Sequence, residues 1–323
     1  MKVLAIISRD LEKGSTKYRL VQYLDFLAQK DIRIEFVRRK DVNATVIRNA
    51  SEFNLVFNQK CLFNYSVARK LIMNSHRTIF DFDDAIYTRP SRPHSFITNF
   101  KVKRRLHLWL KNSNTVTAPN QFLANYARKF SRSVAIVPMA LDMEVWKPRD
   151  SDPGSATTIG WAGAPVNLPL IEKLNQVLTT ILNKFPTVQL AIFSGKKPKL
   201  SCNFEYHPYK PGAEPVFVRN LDIGLLPLYE DEYAKGKSPI KALQYLACGI
   251  PVVGNIIGAT AEILNDQNSM AVANESEWVK ALETLIVNRE LAKALGRRGQ
   301  AQVNKNHNIK IVAQDLYKIL TGV

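Results

Sequence analysis

The chain of 323 residues has 46% hydrophobic and 23% charged residues and a formal net charge of +17. This length suits two domains rather than one core, and the composition excludes a disordered chain. No apolar run is long enough for a transmembrane helix, and three dispersed cysteines exclude a disulfide framework and predict reduced thiols.

In the first half, apolar runs of strand length alternate with segments of helical spacing. The run Val3–Ile7 is too short for a signal peptide and precedes charged residues, so it predicts a buried strand. The other predicted strands are Ile32–Val37, Leu55–Phe57, Arg77–Phe82, Thr115–Thr117 and Val134–Val137. The helices predicted between them are Tyr18–Gln29, Phe63–Met73, Phe96–Lys111 and Asn120–Phe130. This order predicts a doubly wound parallel sheet.

Residues 147–156 interrupt the pattern with two prolines and a glycine, which predicts a linker. Alternation then resumes. The predicted strands are Thr158–Trp161, Gln189–Phe193, Ile223–Pro227 and Pro251–Gly254, and the predicted helices are Pro169–Lys184, Pro239–Cys248, Glu275–Val287, Arg289–Asn304 and Lys310–Leu320. We therefore predict an N-terminal Rossmann-like domain (1–148), a C-terminal one (149–308) facing it across a central cleft, and a last helix (309–323) packing back on the first domain.

The most distinctive segment is KGKSPIKALQYLACGIPVVG at residues 235–254. Its turn carries Lys235 and Lys237 and opens a helix with Lys241 in the first turn and Gln244 one turn further. A helix N-terminus flanked by cations is typical of a diphosphate site, and the amide of Gln244 could bond a ribose hydroxyl. A solvated lysine cluster on an ordinary helix end explains the same residues.

Several common motifs are missing from the sequence. It contains no GxGxxG, GxxxxGK[ST], HExxH or GxSxG pattern. The dinucleotide oxidoreductase, P-loop, zinc protease and α/β-hydrolase interpretations therefore lose their support.

The segment 235–263 resembles the donor-binding segment of retaining glycosyltransferases of family four, in particular a bacterial branch of it. Other motifs of this family are similar in the expected order along nearly the whole chain. They are GSTKYR (14–19), DFDD (81–84), TAPN with FL (117–123), VPMALD (137–142), GWAGAP (160–165), DIGLLP (222–227) and GATAEI (258–263). The resemblance implies a GT-B fold with an acceptor-binding N-terminal domain and a nucleotide-sugar-binding C-terminal domain. It also implies a reaction without a bound metal or other cofactor.

The resemblance assigns roles to individual residues. It implies a donor site made of Gly14, Ser15, Gly163, Lys237, Ser238, Pro239, Lys241, Gln244 and Glu262. Lys237 and Lys241 would stabilise the departing diphosphate, and a helix-start carboxylate is the plain alternative for Glu262. The chain departs from the family because Gly236 and Gln244 replace the two glutamates of its E-x7-E pattern, and because residues 162–168 carry no cation.

Three carboxylates follow each other closely at Asp81, Asp83 and Asp84. Mutual repulsion predicts a raised pKa for one of them, and alternation along a strand predicts Asp81 and Asp83 on one face. We expect Asp83 and Asp84, with Lys241, to act in catalysis through the acceptor or the donor sugar. A solvated loop and an acidic metal site are the alternatives.

Positive charge concentrates in the N-terminal half. Residues 1–150 hold 27 Lys and Arg against 13 Asp and Glu, whereas residues 151–323 hold 18 against 15. The helix 96–112 combines this charge with Phe and Trp, which predicts contact with an anionic membrane, or else a core helix with a basic outer side. The residues expected on this acceptor and membrane side are Arg19, His94, Lys103, Arg104, Arg105 and Trp109.

The resemblance implies a metal-independent, retaining glycosyltransferase, and we expect it to move a hexose from a nucleotide-diphosphate sugar to a saccharide or lipid-linked acceptor. Surface polysaccharide or lipopolysaccharide synthesis, at the cytoplasmic face of the plasma membrane, would suit the charge. The alternative is a non-catalytic nucleotide-sugar-binding or partner protein on the same scaffold, because both family glutamates are replaced. Nucleic-acid binding is not expected, since no recognised binding motif accompanies the charge.

Overall fold

The computed structural model describes residues 1–8, 10–11, 14–89, 95–150 and 156–322, and the chain divides into two compact units. Unit 1 comprises Met1–Ala140, Asp231–Ser238 and Ile309–Val323, and unit 2 comprises Leu141–Glu230 and Pro239–Asn308. The chain first passes from unit 1 to unit 2 after Ala140, a few residues before the predicted domain boundary at 148. The return of 231–238 to unit 1 has no counterpart in the predicted domains.

Unit 1 is built on a six-stranded parallel sheet. Its strands are β1 (Lys2–Ile7), β2 (Arg33–Arg38), β3 (Leu55–Gln59), β4 (Thr78–Asp81), β5 (Thr115–Ala118) and β6 (Val134–Ile136). The helices of this part of the chain are α1 (Gly14–Arg19), α2 (Leu24–Gln29), α3 (Ala44–Asn49), α4 (Tyr65–Asn74), α5 (Phe96–Asn112) and α6 (Gln121–Arg128). Short 3-10 turns lie at Val21–Tyr23, Arg39–Asp41 and Ala50–Glu52. The strand order β2-β1-β3-β4-β5-β6 places β3 directly beside β4.

The sheet of unit 1 is buried on both faces. Alternate side chains of β1 point to opposite faces, so Leu4 and Ile6 join one core cluster while Val3, Ala5 and Ile7 join the other. This explains why β1 is a continuous apolar run rather than an alternating one. Helices α4 and α5 cover the first face.

Helices α3, α4, α5 and α6 begin where the sequence supplies a polar cap. Asn43, Asn64 and Asn120 each accept a backbone N–H from the first turn of α3, α4 and α6, at 2.9 to 3.0 Å. Ser95 does the same for α5 at 3.5 Å. Such caps satisfy N–H groups that have no partner inside the helix.

Unit 2 contains a second six-stranded parallel sheet. Its strands are β7 (Thr157–Ala162), β8 (Val188–Ser194), β9 (Glu205–Pro208), β10 (Ile223–Leu226), β11 (Val252–Gly254) and β12 (Ser269–Ala271), in the order β12-β11-β10-β7-β8-β9. The helices of the second half are α7 (Leu168–Glu172), α8 (Asn175–Lys184), α9 (Glu214–Arg219), α10 (Glu232–Gly236), α11 (Ile240–Ala247), α12 (Glu275–Val287), α13 (Arg289–Asn306) and α14 (Ile309–Thr321). Two 3-10 turns lie at Pro165–Asn167 and Gly258–Glu262. Of these, α10 and α14 belong to unit 1.

Helix α14 completes the core of unit 1. Val312, Leu316 and Leu320 pack with the apolar residues on the second face of its sheet. The guanidinium of Arg77 donates to the carbonyls of Leu320 and Ile319 at 2.8 and 2.7 Å, which satisfies the open end of the helix.

Two parallel sheets flanked by helices confirm the predicted α/β, doubly wound fold class. No helix among the described residues has the length and apolarity needed to cross a bilayer. Burial raises the pKa of the Cys61 and Cys248 thiols to about 12, so both stay protonated at neutral pH.

Candidate active site

The end of strand β4 carries a buried ion pair between Asp81 and Arg19. Both side chains are inaccessible, at 0% and 2% exposure, and the guanidinium also donates to the carbonyl of Val137. Thr117 on the neighbouring strand β5 donates its hydroxyl to Asp81 at 2.7 Å. This first aspartate is therefore fully occupied by structural partners.

The side chain of Arg19 corrects a prediction. Arg19 was expected on the acceptor and membrane side, yet burial with Asp81 removes it from any surface. A buried carboxylate needs a cation nearby, and α1 supplies it 62 residues earlier in the chain.

Lys60 lies between the other two aspartates of the cluster. Its Nζ is 2.6 Å from Asp83 Oδ1 and donates to Asp84 Oδ2 at 2.8 Å. Lys60 follows β3 directly and has a positive φ of 45°. Its backbone N–H donates to the carbonyl of Asp81 at 2.7 Å. The predicted strand alternation fails here, because β4 ends at Asp81 and one ammonium group reaches both later carboxylates.

The pKa values of this group reflect burial and charge. Burial, together with the charge of Asp84, raises the pKa of Asp83 to about 6 against the opposing effect of Lys60. Burial alone would lower the pKa of Lys60, but the charges of Asp83 and Asp84 outweigh it and raise that pKa. The predicted raised carboxyl pKa therefore falls on Asp83. The side chain of Asp84 is more accessible, at 24% exposure against 4% for Asp83.

The segment 231–238 packs onto this cluster within unit 1. The hydroxyl of Ser238 donates to the carbonyl of Asp83 at 3.3 Å, and Asn120 donates to the carbonyl of Gly236 at 3.3 Å. A Cβ at Gly236 would lie 2.9 Å from that of Ala85, so the close approach requires glycine. Burial and the charge of Asp84 raise the pKa of Tyr233, which also bonds Asp84.

In unit 2, Lys241 and Gln244 both meet Glu214. Lys241 in the first turn of α11 pairs with Glu214, and Gln244 Nε2 donates to the second oxygen of the same carboxylate at 3.3 Å. Glu214 begins α9, a helix that was not predicted. Pro239 stands at the N-cap of α11, where no side chain of the described residues caps the helix. A cation, a carboxylate and an amide thus meet at an uncapped helix start.

The turns of unit 2 that follow β7 and β11 carry further predicted residues. Gly163 follows β7, and a Cβ there would collide with the ring of Trp161. Glu262 is exposed at the end of the 3-10 turn that follows β11. The hydroxyl of Tyr245 accepts the N–H of Ala162 at 3.0 Å and thereby ties α11 to the end of β7.

The remaining predicted donor residues lie in unit 1. Gly14 and Ser15 open α1, and Lys237 and Ser238 close the 231–238 segment. Their donor roles stay predictions. His94 lies outside the described residues.

Helix α5 presents Lys103 and Arg104 to solvent and half-buries Arg105. Trp109 corrects the prediction for this helix, because it has 0% exposure and packs against Phe80 in the core of unit 1. The exposed aromatic residues are instead Phe96 at 87% and Phe100 at 62%. An amphipathic pattern alone does not tell which aromatic residues of a helix face the core.

Sequence reasoning missed Lys60, Tyr233 and Glu214. Lys60 was detectable in principle, since it follows a strand as Asp83 does. Tyr233 and Glu214 lie on short helices without a clear apolar period. Among the described residues no group of three His, Cys, Asp or Glu side chains is arranged to hold a metal ion, and the metal-independent reaction stays a prediction.

Comparison with known proteins supports the interpretation of the fold. Residues 186–318 match the sequence family described as glycosyl transferase-like. No curated protein matches the chain in sequence.

Solved structures resemble the whole chain. HepE from Anabaena, solved with UDP and glucose, has a TM-score of 0.74 at 15% identity, with 100% of both chains covered. Sucrose-phosphate synthase from Thermosynechococcus elongatus has a TM-score of 0.75 at 12% identity, over 99% of this chain and 98% of that one. A glycosyltransferase from Rickettsia africae ESF-5 has a TM-score of 0.70 at 12% identity, over 98% and 97%. At sequence identities this low, the structural similarity shows a shared fold and no more.

Residues 186–318 thus match a glycosyl transferase-like family, and the whole chain has the fold of GT-B glycosyltransferases. The predicted class of enzyme, a glycosyltransferase, is thereby confirmed.

Proposed function

We propose that this protein transfers a hexose from a UDP-sugar to a saccharide or lipid-linked acceptor, in the manner of the family-four branch that its motifs resemble. The observation that carries the proposal is the meeting of Lys241, Gln244 and Glu214 at the uncapped start of α11. UDP is the nucleotide we favour because the similar structure of HepE was solved with UDP.

In the proposed donor site, Lys241 and the N-terminal N–H groups of α11 bind the diphosphate. These groups stabilise the negative charge that develops on the leaving UDP. Glu214 and Gln244 hold the ribose hydroxyls, so that Glu214 supplies a carboxylate where the family's E-x7-E pattern is replaced by Gly236 and Gln244. Gly163 allows the turn after β7 to approach the ligand closely.

Asp84 is the proposed carboxylate that contacts the reacting sugars, because it is the more accessible of the pair beside Lys60. Asp83 and Lys60 position it. Ser238 and Tyr233 connect this cluster to the segment that leads into α11.

The proposed setting is the inner face of the plasma membrane, in surface polysaccharide or lipopolysaccharide synthesis. The supporting observation is α5, which exposes Phe96 and Phe100 among Lys101, Lys103 and Arg104. Cations beside exposed aromatic side chains favour an anionic bilayer surface.

The donor proposal is tested by titrating UDP, GDP and ADP into the protein and by following hydrolysis of the corresponding sugar nucleotides. We expect UDP binding and slow UDP-sugar hydrolysis, both lost in Lys241→Met and kept in Lys280→Met, an exposed lysine of α12 in the same unit. UDP binding that survives Lys241→Met would refute the proposed site.

A non-catalytic sugar-nucleotide-binding protein is the second candidate, motivated by Gly236 and Gln244 in place of the family's glutamates. Tight UDP-sugar binding without hydrolysis, and without transfer to any of a panel of saccharide and lipid-linked acceptors, would favour it.

A further inference from the structure

A large cationic cavity lies beyond the ends of β1 and β2 in unit 1. It has a volume of about 890 Å³ and includes Arg38, Arg39, Lys40 and Arg105 in its wall. Asp10 is the single carboxylate that lines it among the described residues. The cavity is therefore suited to an anion rather than to a neutral sugar alone.

The cations of this cavity differ in how far they are already engaged. Arg38 pairs with Asp41 at 2.8 Å, and Arg39 donates to the carbonyl of Leu62 at 3.0 Å. No carboxylate of the described residues pairs with Lys40 or Arg105. These two side chains hold the positive charge that a ligand could neutralise.

The cavity continues into a groove along α5. A second cavity of about 290 Å³ shares Asn64 and Arg105 with the first, and a third of about 500 Å³ shares Tyr65, Arg104 and Leu108 with the second. The three cavities therefore adjoin one another along α5, from Lys40 and Arg105 at one end to Phe96 and Phe100 at the other.

The far end of this series of cavities combines exposed aromatic side chains with the cations Lys103, Arg104 and Lys111. Phe96 and Phe100 are exposed and lie one helical turn apart, and Tyr65 is half exposed beneath the guanidinium of Arg104, 5.8 Å from its ring centre. Arg105 follows Phe96 by nine positions along α5, so the helical rise between the two side chains is about 14 Å.

We propose that this groove is the acceptor site and that the acceptor is a lipid-linked phosphate or diphosphate. Its phosphate lies between Lys40 and Arg105, and its hydrocarbon chain runs along α5 and leaves the protein at Phe96 and Phe100. The inference rests on the proposed function, which it narrows from a saccharide or lipid-linked acceptor to the lipid-linked class. A polar head and an apolar tail on one molecule match the two ends of one groove.

The test is a calorimetric titration of the full chain, with UDP present to occupy the proposed donor site, using monododecyl diphosphate below its aggregation threshold. Inorganic diphosphate and dodecyl maltoside are the comparison ligands. We expect the alkyl diphosphate to bind on the order of tenfold or more tightly than inorganic diphosphate, because methylenes are buried along the groove. Dodecyl maltoside, which lacks the anion, should bind weakly.

Two variants separate the ends of the groove. Lys40→Ala with Arg105→Ala should weaken binding of both diphosphates at least tenfold. The control, Arg33→Ala with Arg132→Ala, removes two cations of unit 1 that do not line the three cavities and should change nothing. Phe96→Ser with Phe100→Ser should reduce the advantage of the alkyl chain and leave inorganic diphosphate binding unchanged.

Equal affinity of the alkyl and inorganic diphosphates, or no effect of the Lys40 and Arg105 double variant, would overturn the inference. Equal competition by a single-stranded DNA dodecamer would do the same, since it would mark the groove as a general polyanion surface. UDP titrated into the same proteins tests the proposed function separately. The affinity for UDP should not change in the groove variants. If the unmodified protein does not bind UDP, that result counts against the proposed donor site alone.

Discussion

Lys60 and Asp83 form an ion pair at 2.6 Å in which the lysine has a left-handed backbone with φ of 45°. Such a conformation is unfavourable for a lysine and persists only where surrounding contacts hold it. The contacts here are the N–H bond to Asp81 and the two carboxylates that share the ammonium group.

Replacement of Lys60 by methionine keeps the length of the side chain and removes the charge. We expect a loss of about 3 kcal/mol or more in the free energy of unfolding at pH 7.5, because Asp83 is left buried without its cation. The loss should be smaller at pH 5, where Asp83 takes up a proton. Urea unfolding at both pH values measures the difference.

The matched control is Lys70→Met, which replaces an exposed lysine of α4 and should change the free energy of unfolding little. A Lys60→Met variant as stable as the wild type at pH 7.5 would contradict the assigned role of this ion pair.

The raised pKa of Asp83 predicts a specific pH dependence of stability. A folded-state pKa of about 6 against an ordinary value of 3.8 means that the folded state binds this proton more tightly than the unfolded state. The contribution of Asp83 to the free energy of unfolding therefore falls as the pH rises from about 4 to about 6, and is constant above that range. Asp83→Asn removes this contribution.

In urea unfolding at constant ionic strength, we expect the free energy of unfolding of Asp83→Asn, relative to that of the wild type, to be higher at pH 7.5 than at pH 5. Asp315→Asn, an exposed carboxylate of α14, is the control. A difference between Asp83→Asn and wild type that does not vary with pH would show that Asp83 has an ordinary pKa.

The buried pair of Arg19 and Asp81 predicts strong coupling in a double-mutant cycle. Arg19→Met alone should cost about 3 to 5 kcal/mol, because it leaves a buried carboxylate uncompensated. Arg19→Met combined with Asp81→Leu should cost less than the sum of the two single changes. The surface pair of Lys184 and Glu283, at 2.7 Å with 56% and 28% exposure, should show coupling below about 1 kcal/mol. Comparable coupling in the two pairs would contradict this account.

The sequence predicted the parallel strands well, because strands buried on both faces are near-continuous apolar runs. It missed β9 and β12, which are short strands at the edges of their sheet. The predicted helix Tyr18–Gln29 is divided into the end of α1, a 3-10 turn and α2, while its apolar positions still face the core.

The sites show a different limit of sequence reasoning. Local spacing identified the aspartate cluster and Lys241, but their partners come from distant parts of the chain. Arg19 lies 62 residues from Asp81, and Glu214 lies 27 residues from Lys241. Only the order of strands within a sheet brings such residues together, and that order is a property of the tertiary fold.

The contact of Glu214 with Gln244 predicts how the nucleoside part of the donor is held. Glu214→Gln should weaken binding of UDP and of uridine by similar factors, on the order of tenfold, because a charged acceptor for ribose hydroxyls is lost. Lys241→Met should weaken UDP binding and leave uridine binding nearly unchanged, since uridine has no phosphate. Calorimetric titration of both ligands distinguishes the two effects.

Glu290→Gln, an exposed glutamate of α13, is the control for the loss of one negative charge in unit 2. Tighter UDP binding by Glu214→Gln would contradict a ribose role and would mean that Glu214 only competes with phosphate for Lys241.

The exposed face of α5 predicts salt-sensitive binding to anionic membranes. Reversal of Lys101, Lys103, Arg104 and Arg105 to glutamate should abolish binding to vesicles that contain phosphatidylserine, because each cation near such a surface contributes about 1 kcal/mol. Sedimentation with vesicles at low and high salt measures the vesicle binding of each variant. The same reversal at Lys196, Lys197, Lys199 and Lys210, exposed cations of unit 2, controls for net charge and should leave binding in place.

The aromatic residues of α5 separate insertion into the bilayer from simple charge attraction. Phe96→Ser with Phe100→Ser should weaken vesicle binding most clearly at high salt, where screening removes the electrostatic part. Trp109→Phe should leave vesicle binding unchanged, because Trp109 is buried against Phe80 and can reach no bilayer. Vesicle binding that resists charge reversal, or that depends on Trp109 rather than on the exposed phenylalanines, would mean that α5 is not the membrane-facing helix.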